Sequence, residues 1–115
     1  MNKRDSEILK KIISYCDEIS DTKKRFGDNF TAMQSDSVYK NAVSMCILQI
    51  GELTTHLTEE FRAKNNEMPW QDIKGMRNIA AHHYGKFDDQ KLWETISDDI
   101  PELSEYCRNL LNQQI

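Results

Sequence analysis

From Val38 to Phe61 apolar residues return at intervals of three and four, and they fall in two adjacent rows of one helix. Val43, Ile47, Ile50, Leu57 and Phe61 make one row; Val38, Ala42, Met45 and Leu53 make the other. A helix apolar over so wide a surface needs more than one neighbour. One row can pack inside its own domain and the other on a second protomer. The pattern predicts a helix that starts at Ser35 or Asp36, both good caps, and runs to about Arg62. Gly51 sits in its middle, where glycine costs about 1 kcal/mol relative to alanine. That position suggests the close approach of another backbone.

Only four glycines and two prolines interrupt 115 residues, so few turns are signalled and the helices should be long. A first helix over 3–25 carries Ile8, Ile12, Tyr15, Cys16 and Ile19 inward, ends on Lys23, Lys24 and Arg25, and stops at Gly27. A polar link over 28–35 joins it to the second helix. A polar loop from Arg62 to Met68 follows, and Pro69 suits the first turn of a third helix holding Trp70, Ile73, Met76, Ile79 and Ala80. That helix should end near His82 or Tyr84, with Gly85 as its stop. Asp88 or Asp89 starts a fourth, with Leu92, Trp93 and Ile96 inward. Pro101 starts a fifth, with Leu103, Tyr106, Leu110 and Leu111 inward. No strand pattern or repeat intervenes. The expectation is one domain over 1–115, an all-α bundle of about five helices: two long antiparallel helices, then three shorter ones.

A formal net charge of −4 argues against a broad electrostatic footprint for nucleic acid. It leaves room for a local one: Lys74, Arg77 and Lys86 have no acid among them from 74 to 86. The three cysteines (Cys16, Cys46 and Cys107) are too scattered for a disulfide framework or a zinc knuckle and read as small core thiols. No apolar run is long enough for a membrane span, and the first residues lack the apolar core of a signal peptide. A cytoplasmic protein is expected.

One stretch concentrates groups able to do chemistry: Gly75-Met76-Arg77-Asn78-Ile79-Ala80-Ala81-His82-His83-Tyr84-Gly85-Lys86-Phe87. Histidine exchanges protons near neutral pH, and arginine presents a permanently charged planar fork to phosphate oxygens. Together they can cleave RNA without a metal. Histidine would activate the 2′-hydroxyl, and arginine would stabilise the phosphorane. Yet five residues are about 140° of rotation on a helix, so spacing alone does not put Arg77 and His82 on one face. Either the helix loosens at His82, or Arg77 reaches around, or a second protomer completes the cleft. On composition and spacing, the polar end of a helix is the simpler reading. His82-His83 lacks an Asp, Glu or Cys at a spacing that would complete a metal site. His56 lies among threonines and should be solvated. Trp70 and Trp93 read as core or interface anchors, and Asp88-Asp89 and Asp98-Asp99 as helix caps.

The run from Arg77 to Tyr84 resembles the R-x4-H-x-Y motif of HepT-type toxins of the HEPN superfamily, formerly grouped as DUF86. Ile50-Gly51-Glu52 is similar to that family's I-G-E in the second helix. Pro69-Trp70 with Ile73, Gly75, Met76, Arg77 and Asn78 is similar to its P-W-x-x-I-x-G-M-R-N. Leu92-Trp93, Ile96, Pro101 and Leu103 follow the same pattern. The resemblance covers about 36–103; the first helix matches only in character.

The resemblance implies a HEPN-type homodimer with the two motifs at a shared cleft. It implies the toxin of a type VII toxin–antitoxin system, a metal-independent ribonuclease needing no cofactor. Its partner would be a minimal nucleotidyltransferase antitoxin of the MntA type, which transfers AMP from ATP to the motif tyrosine. Carried over, Arg77 and His82 would be catalytic, Asn78 supporting and Tyr84 the adenylylated residue. Glu52 matches a family acid to which no role is assigned, and His83 occupies a variable position. The alternative is a non-catalytic partner that binds or regulates the nucleotidyltransferase, with the motif serving as its substrate.

Overall fold

The computed structural model describes residues 1–81 and 88–113. These are helical, with no strand among them. The helices are α1 (Lys3–Phe26), α2 (Phe30–Gln34), α3 (Ser37–Thr54), α4 (Glu59–Lys64), α5 (Trp70–Ala81), α6 (Asp89–Glu94) and α7 (Ile100–Asn112). A π-helical turn, Thr95–Asp99, joins α6 to α7. This is the expected all-α bundle, with more and shorter elements than the five helices expected.

α1 and α3 are the long antiparallel pair. Their contacts run in reverse order: Asp5 meets Thr58 beyond the end of α3, Glu18 meets Cys46, and Gly27 meets Tyr39. The Asn2 side chain caps α1, accepting from the Asp5 N–H at 2.7 Å. Gly27 ends α1 with φ 118°, which glycine adopts without a Cβ penalty, and its N–H bonds to the Lys23 carbonyl at 2.9 Å. Two contacts place the π-helical turn and α7 antiparallel to α1: Ser97 of the turn with Lys23, and Arg108 of α7 with Asp17. The buried apolar side chains of the described residues gather in one cluster drawn from every helix.

The expected link over 28–35 contains α2. Asn29 accepts from the Ala32 N–H at 2.8 Å, and the fully buried Met33 draws the turn onto the core. Asp36 then caps α3 through the N–H groups of Val38 and Tyr39.

The second long helix ends at Thr54 instead of Arg62. The hydroxyls of Thr54 and Thr55 bond back to the carbonyls of Ile50 and Glu52, at 3.0 and 2.6 Å. Such local bonds compete with helix propagation. Thr58 then caps α4 by accepting from the Phe61 N–H at 3.1 Å. Leu57 and Phe61 still reach the core, so their apolar spacing held although the helix did not. The break is fastened by Asp5, 1% exposed, whose carboxylate accepts from the Thr58 N–H at 3.0 Å and its hydroxyl at 2.7 Å. Asp5→Ala leaves these donors unpaired and should lower stability by about 2–3 kcal/mol, read as a lower urea midpoint. An unchanged midpoint would show that the strap is idle.

Trp70 is a core anchor, as expected. It is buried between Phe61 and Tyr106, with its indole N–H on the Asn65 carbonyl at 3.0 Å. Trp93 is half-buried under the Lys23 ammonium. His56 is exposed. Asp88 caps α6 through the Gln90 N–H. Asp98 and Asp99 are not caps: the backbone runs on from α6 into α7 through the π-helical turn, and Asp99 makes no side-chain cap bond. Partial burial raises the Asp99 carboxyl above its ordinary range.

All three cysteines are buried, and burial pushes each thiol from an ordinary 9.0 up to about 12. Burial moves Tyr39 in the same direction, from 10.0 to about 12. The unfolded chain therefore loses these protons first as pH rises. Stability from these groups is intact below about pH 9 and falls between about 9 and 12. Urea midpoints at about pH 8 and about pH 10 should show the drop; a midpoint that rises over this interval would contradict it.

Candidate functional site

The centre of the described site is the crossing of α3 and α5. Both helices present apolar faces to it: Ile47 and Ile50 from α3, and Ile73, Met76 and Ala80 from α5. Gly51 lies at the closest approach. A Cβ built there would stand 2.4 Å from the Arg77 Cγ, 3.2 Å from the Arg77 nitrogen and 3.3 Å from the Lys74 carbonyl oxygen. Only a glycine leaves α5 room to lie so near. The close backbone that the mid-helix glycine suggested is that of α5.

Arg77 therefore leaves α5 directly against α3. The next residue of α3, Glu52, takes up its guanidinium: Nη1 donates to Oε1 at 2.9 Å. The pair is neither buried nor fully solvated, with side chains 35% and 47% exposed. One N–H of the guanidinium is committed here, and an arginine has five. Asn78, the following residue, is exposed and lies about 100° further around the helix. Lys74, one turn before Arg77, adds a second positive charge to this part of α5.

α5 is helical through Ala81. His82, His83, Tyr84 and Gly85 lie outside the described residues, as does the expected end of the helix. Of the residues proposed from the sequence, the structure thus describes Arg77 and Asn78, and it adds a partner for Arg77. Glu52 had been singled out by resemblance without a role. Its contact with Arg77 is marked in the sequence only by a mid-helix glycine followed by an acid, and no spacing rule connects that pair to an arginine 25 positions on. Among the described residues no group of three or more His, Cys, Asp or Glu is placed to hold a metal ion, and no helix is long and apolar enough to cross a membrane.

Comparison with known proteins converges on one family. The model of the family described as "Ribonuclease HepT-like" matches residues 8–110. A protein of Caldanaerobacter subterraneus subsp. tengcongensis named "Putative RNase" is 32% identical over 106 residues, 92% of this chain and 93% of its own. One of Methanocaldococcus jannaschii, also named "Putative RNase", is 31% identical over 112 residues, 96% of this chain and 95% of its own. "Probable ribonuclease HepT" of Thermococcus cleftensis is 34% identical over 62 residues, 54% of this chain and 56% of its own. No solved structure matches the chain significantly. With a family match over residues 8–110, from within α1 to within α7 and across the motif, the chain belongs to the HepT-like ribonuclease family.

Proposed function

We propose that the chain is a metal-independent endoribonuclease acting as the toxin of a HepT/MntA-like toxin–antitoxin pair in the cytoplasm. The observation that carries this reading is the half-exposed guanidinium of Arg77 at the start of an intact R-x4-H-x-Y motif, in a chain whose relatives are named as ribonucleases. The His82 imidazole takes the proton of a 2′-hydroxyl, and the freed oxygen attacks the adjacent phosphorus. Arg77 stabilises the charge that builds on the phosphorane oxygens. The P–O5′ bond breaks, and the leaving oxygen takes a proton from an imidazolium in the cleft. The products are a 2′,3′-cyclic phosphate and a 5′-hydroxyl. Asn78 supports the phosphate through its amide.

Two copies of the chain form the cleft. The second apolar row of α3 supports this: Val38 and Met45 stand 60% and 55% exposed, with Ala42 and Leu53 half-buried beside them. A second copy would cover this row. Tyr84 is the control point. A nucleotidyltransferase partner moves AMP from ATP to its phenol, releasing pyrophosphate, and the added phosphate and purine occupy the place of RNA by bulk and charge.

The test is co-expression with a minimal nucleotidyltransferase of the MntA type, followed by intact mass and peptide mapping. Mass added in AMP units on Tyr84, together with loss of RNA cleavage, is the expected result. An unmodified chain beside an active partner would refute the control mechanism. A chain that is adenylylated but never cleaves RNA would favour a purely regulatory partner.

A further inference from the structure

Two neighbouring residues of α3 address the same side chain of α5. Gly51 removes the Cβ that would collide with Arg77, and Glu52 binds the guanidinium that then comes within reach. We propose that Glu52 is the positioning residue of Arg77, and that Gly51 sets the distance at which it works. The proposal rests on the reading of Arg77 as the phosphate-binding group.

A solvent-facing arginine carries about 2 kcal/mol of rotamer entropy, and without a tether its fork samples many directions. Glu52 is well placed to remove that freedom. Its backbone lies between buried Gly51 and the buried Thr54, on a helix packed against both α1 and α5. A site built on a rigid element is held more precisely than one on a loop. The carboxylate engages one terminal nitrogen, and a phosphate would bind through other donors of the fork. Stability does not explain the pair: exposed ion pairs contribute about 0–1 kcal/mol at most. Nor does substrate attraction, because a carboxylate beside Arg77 weakens the pull on an anion. What the pair supplies is orientation, at some expense of initial binding.

That balance gives a signature a merely structural role lacks. Removing Glu52 should slow turnover without weakening RNA binding. The experiment compares wild type, Glu52→Gln and Glu52→Ala as full-length protein. It measures melting temperature, kcat and KM on a single-stranded RNA, and the 15N guanidinium resonance of Arg77, assigned by its disappearance in Arg77→Lys. Glu52→Ala should fold as wild type, lose about 10–100-fold in kcat with KM unchanged or lower, and show an averaged, rapidly exchanging Arg77 resonance. Glu52→Gln keeps the acceptor without the charge and should fall between. The proposal is overturned if Arg77 keeps its wild-type resonance in Glu52→Ala, if kcat stays within about twofold, or if the loss is in KM alone. Should wild type cleave no RNA while the Arg77 resonance still collapses in Glu52→Ala, the tether stands and the ribonuclease reading falls.

Discussion

Alanine at Arg77 should abolish RNA cleavage and growth inhibition, and alanine at His82 should do the same, while leaving the proposed dimer intact. The two losses have different causes. Without His82 no group takes the 2′-hydroxyl proton, a deficit of about 10²–10⁴-fold. Without Arg77 the phosphorane oxygens lose their preorganised cation, a deficit of about 10²–10³-fold. Because the two act on one transition state, the double variant should be little worse than the weaker single one. Arg77→Ala should also fold normally, since its ion pair with Glu52 is at the surface and contributes about 1 kcal/mol or less. Circular dichroism and size-exclusion chromatography check folding and assembly; a cleavage time course checks activity. Full toxicity in both variants would remove the enzymatic reading.

Gly51→Val should be the most damaging single change at the helix crossing, in stability and activity together. Its Cβ would overlap the Arg77 Cγ at 2.4 Å, a contact relieved only by turning the arginine away from Glu52. The contacts of 3.2 and 3.3 Å are with backbone atoms of α5, so the helix itself must give way, and the two valine methyls add to the crowding. Overpacking of this kind costs about 1–3 kcal/mol. Helix propensity works in the other direction by less than about 1 kcal/mol for valine in place of glycine. The clash wins, and a loss of about 1–2 kcal/mol should appear in the urea midpoint. Gly51→Ala separates the two effects. There the gain in helix propensity offsets much of the strain, so its stability should stay near wild type while cleavage still falls with the displaced arginine. A Gly51→Val protein as stable and active as wild type would mean that α3 and α5 are not held at this distance.

The apolar spacing made most of the fold legible. Val43, Ile47, Ile50, Leu57 and Phe61 are all buried, as the first row of the second long helix required. The second row was equally legible as a surface, since Val38 and Met45 face outward in the single chain. Boundaries were harder because they depend on hydroxyls and carboxylates rather than on periodicity. Thr54 and Thr55 end α3 through back-bonds to its own carbonyls, and Asp5 holds the break from more than fifty residues away. The same reason hid α2, whose cap is a single Asn29 side chain, and made Asp98-Asp99 look like a helix start where the chain continues through a π-helical turn.

At the site, the residue chemistry of the stretch pointed to Arg77, Asn78 and His82, and the resemblance added the expected modification of Tyr84. The tie between Glu52 and Arg77 was not legible. It depends on how closely two helices cross, and that distance is fixed by the missing side chain of Gly51.

The most direct measurement is the chemistry of the RNA ends left by the purified chain in EDTA. Wild type should release a 2′,3′-cyclic phosphate and a 5′-hydroxyl, fail on a substrate with deoxyribose at the cut site, and lose all cleavage in Arg77→Ala. No cleavage by wild type, ends bearing a 3′-hydroxyl and a 5′-phosphate, or equal cleavage by Arg77→Ala would contradict the account.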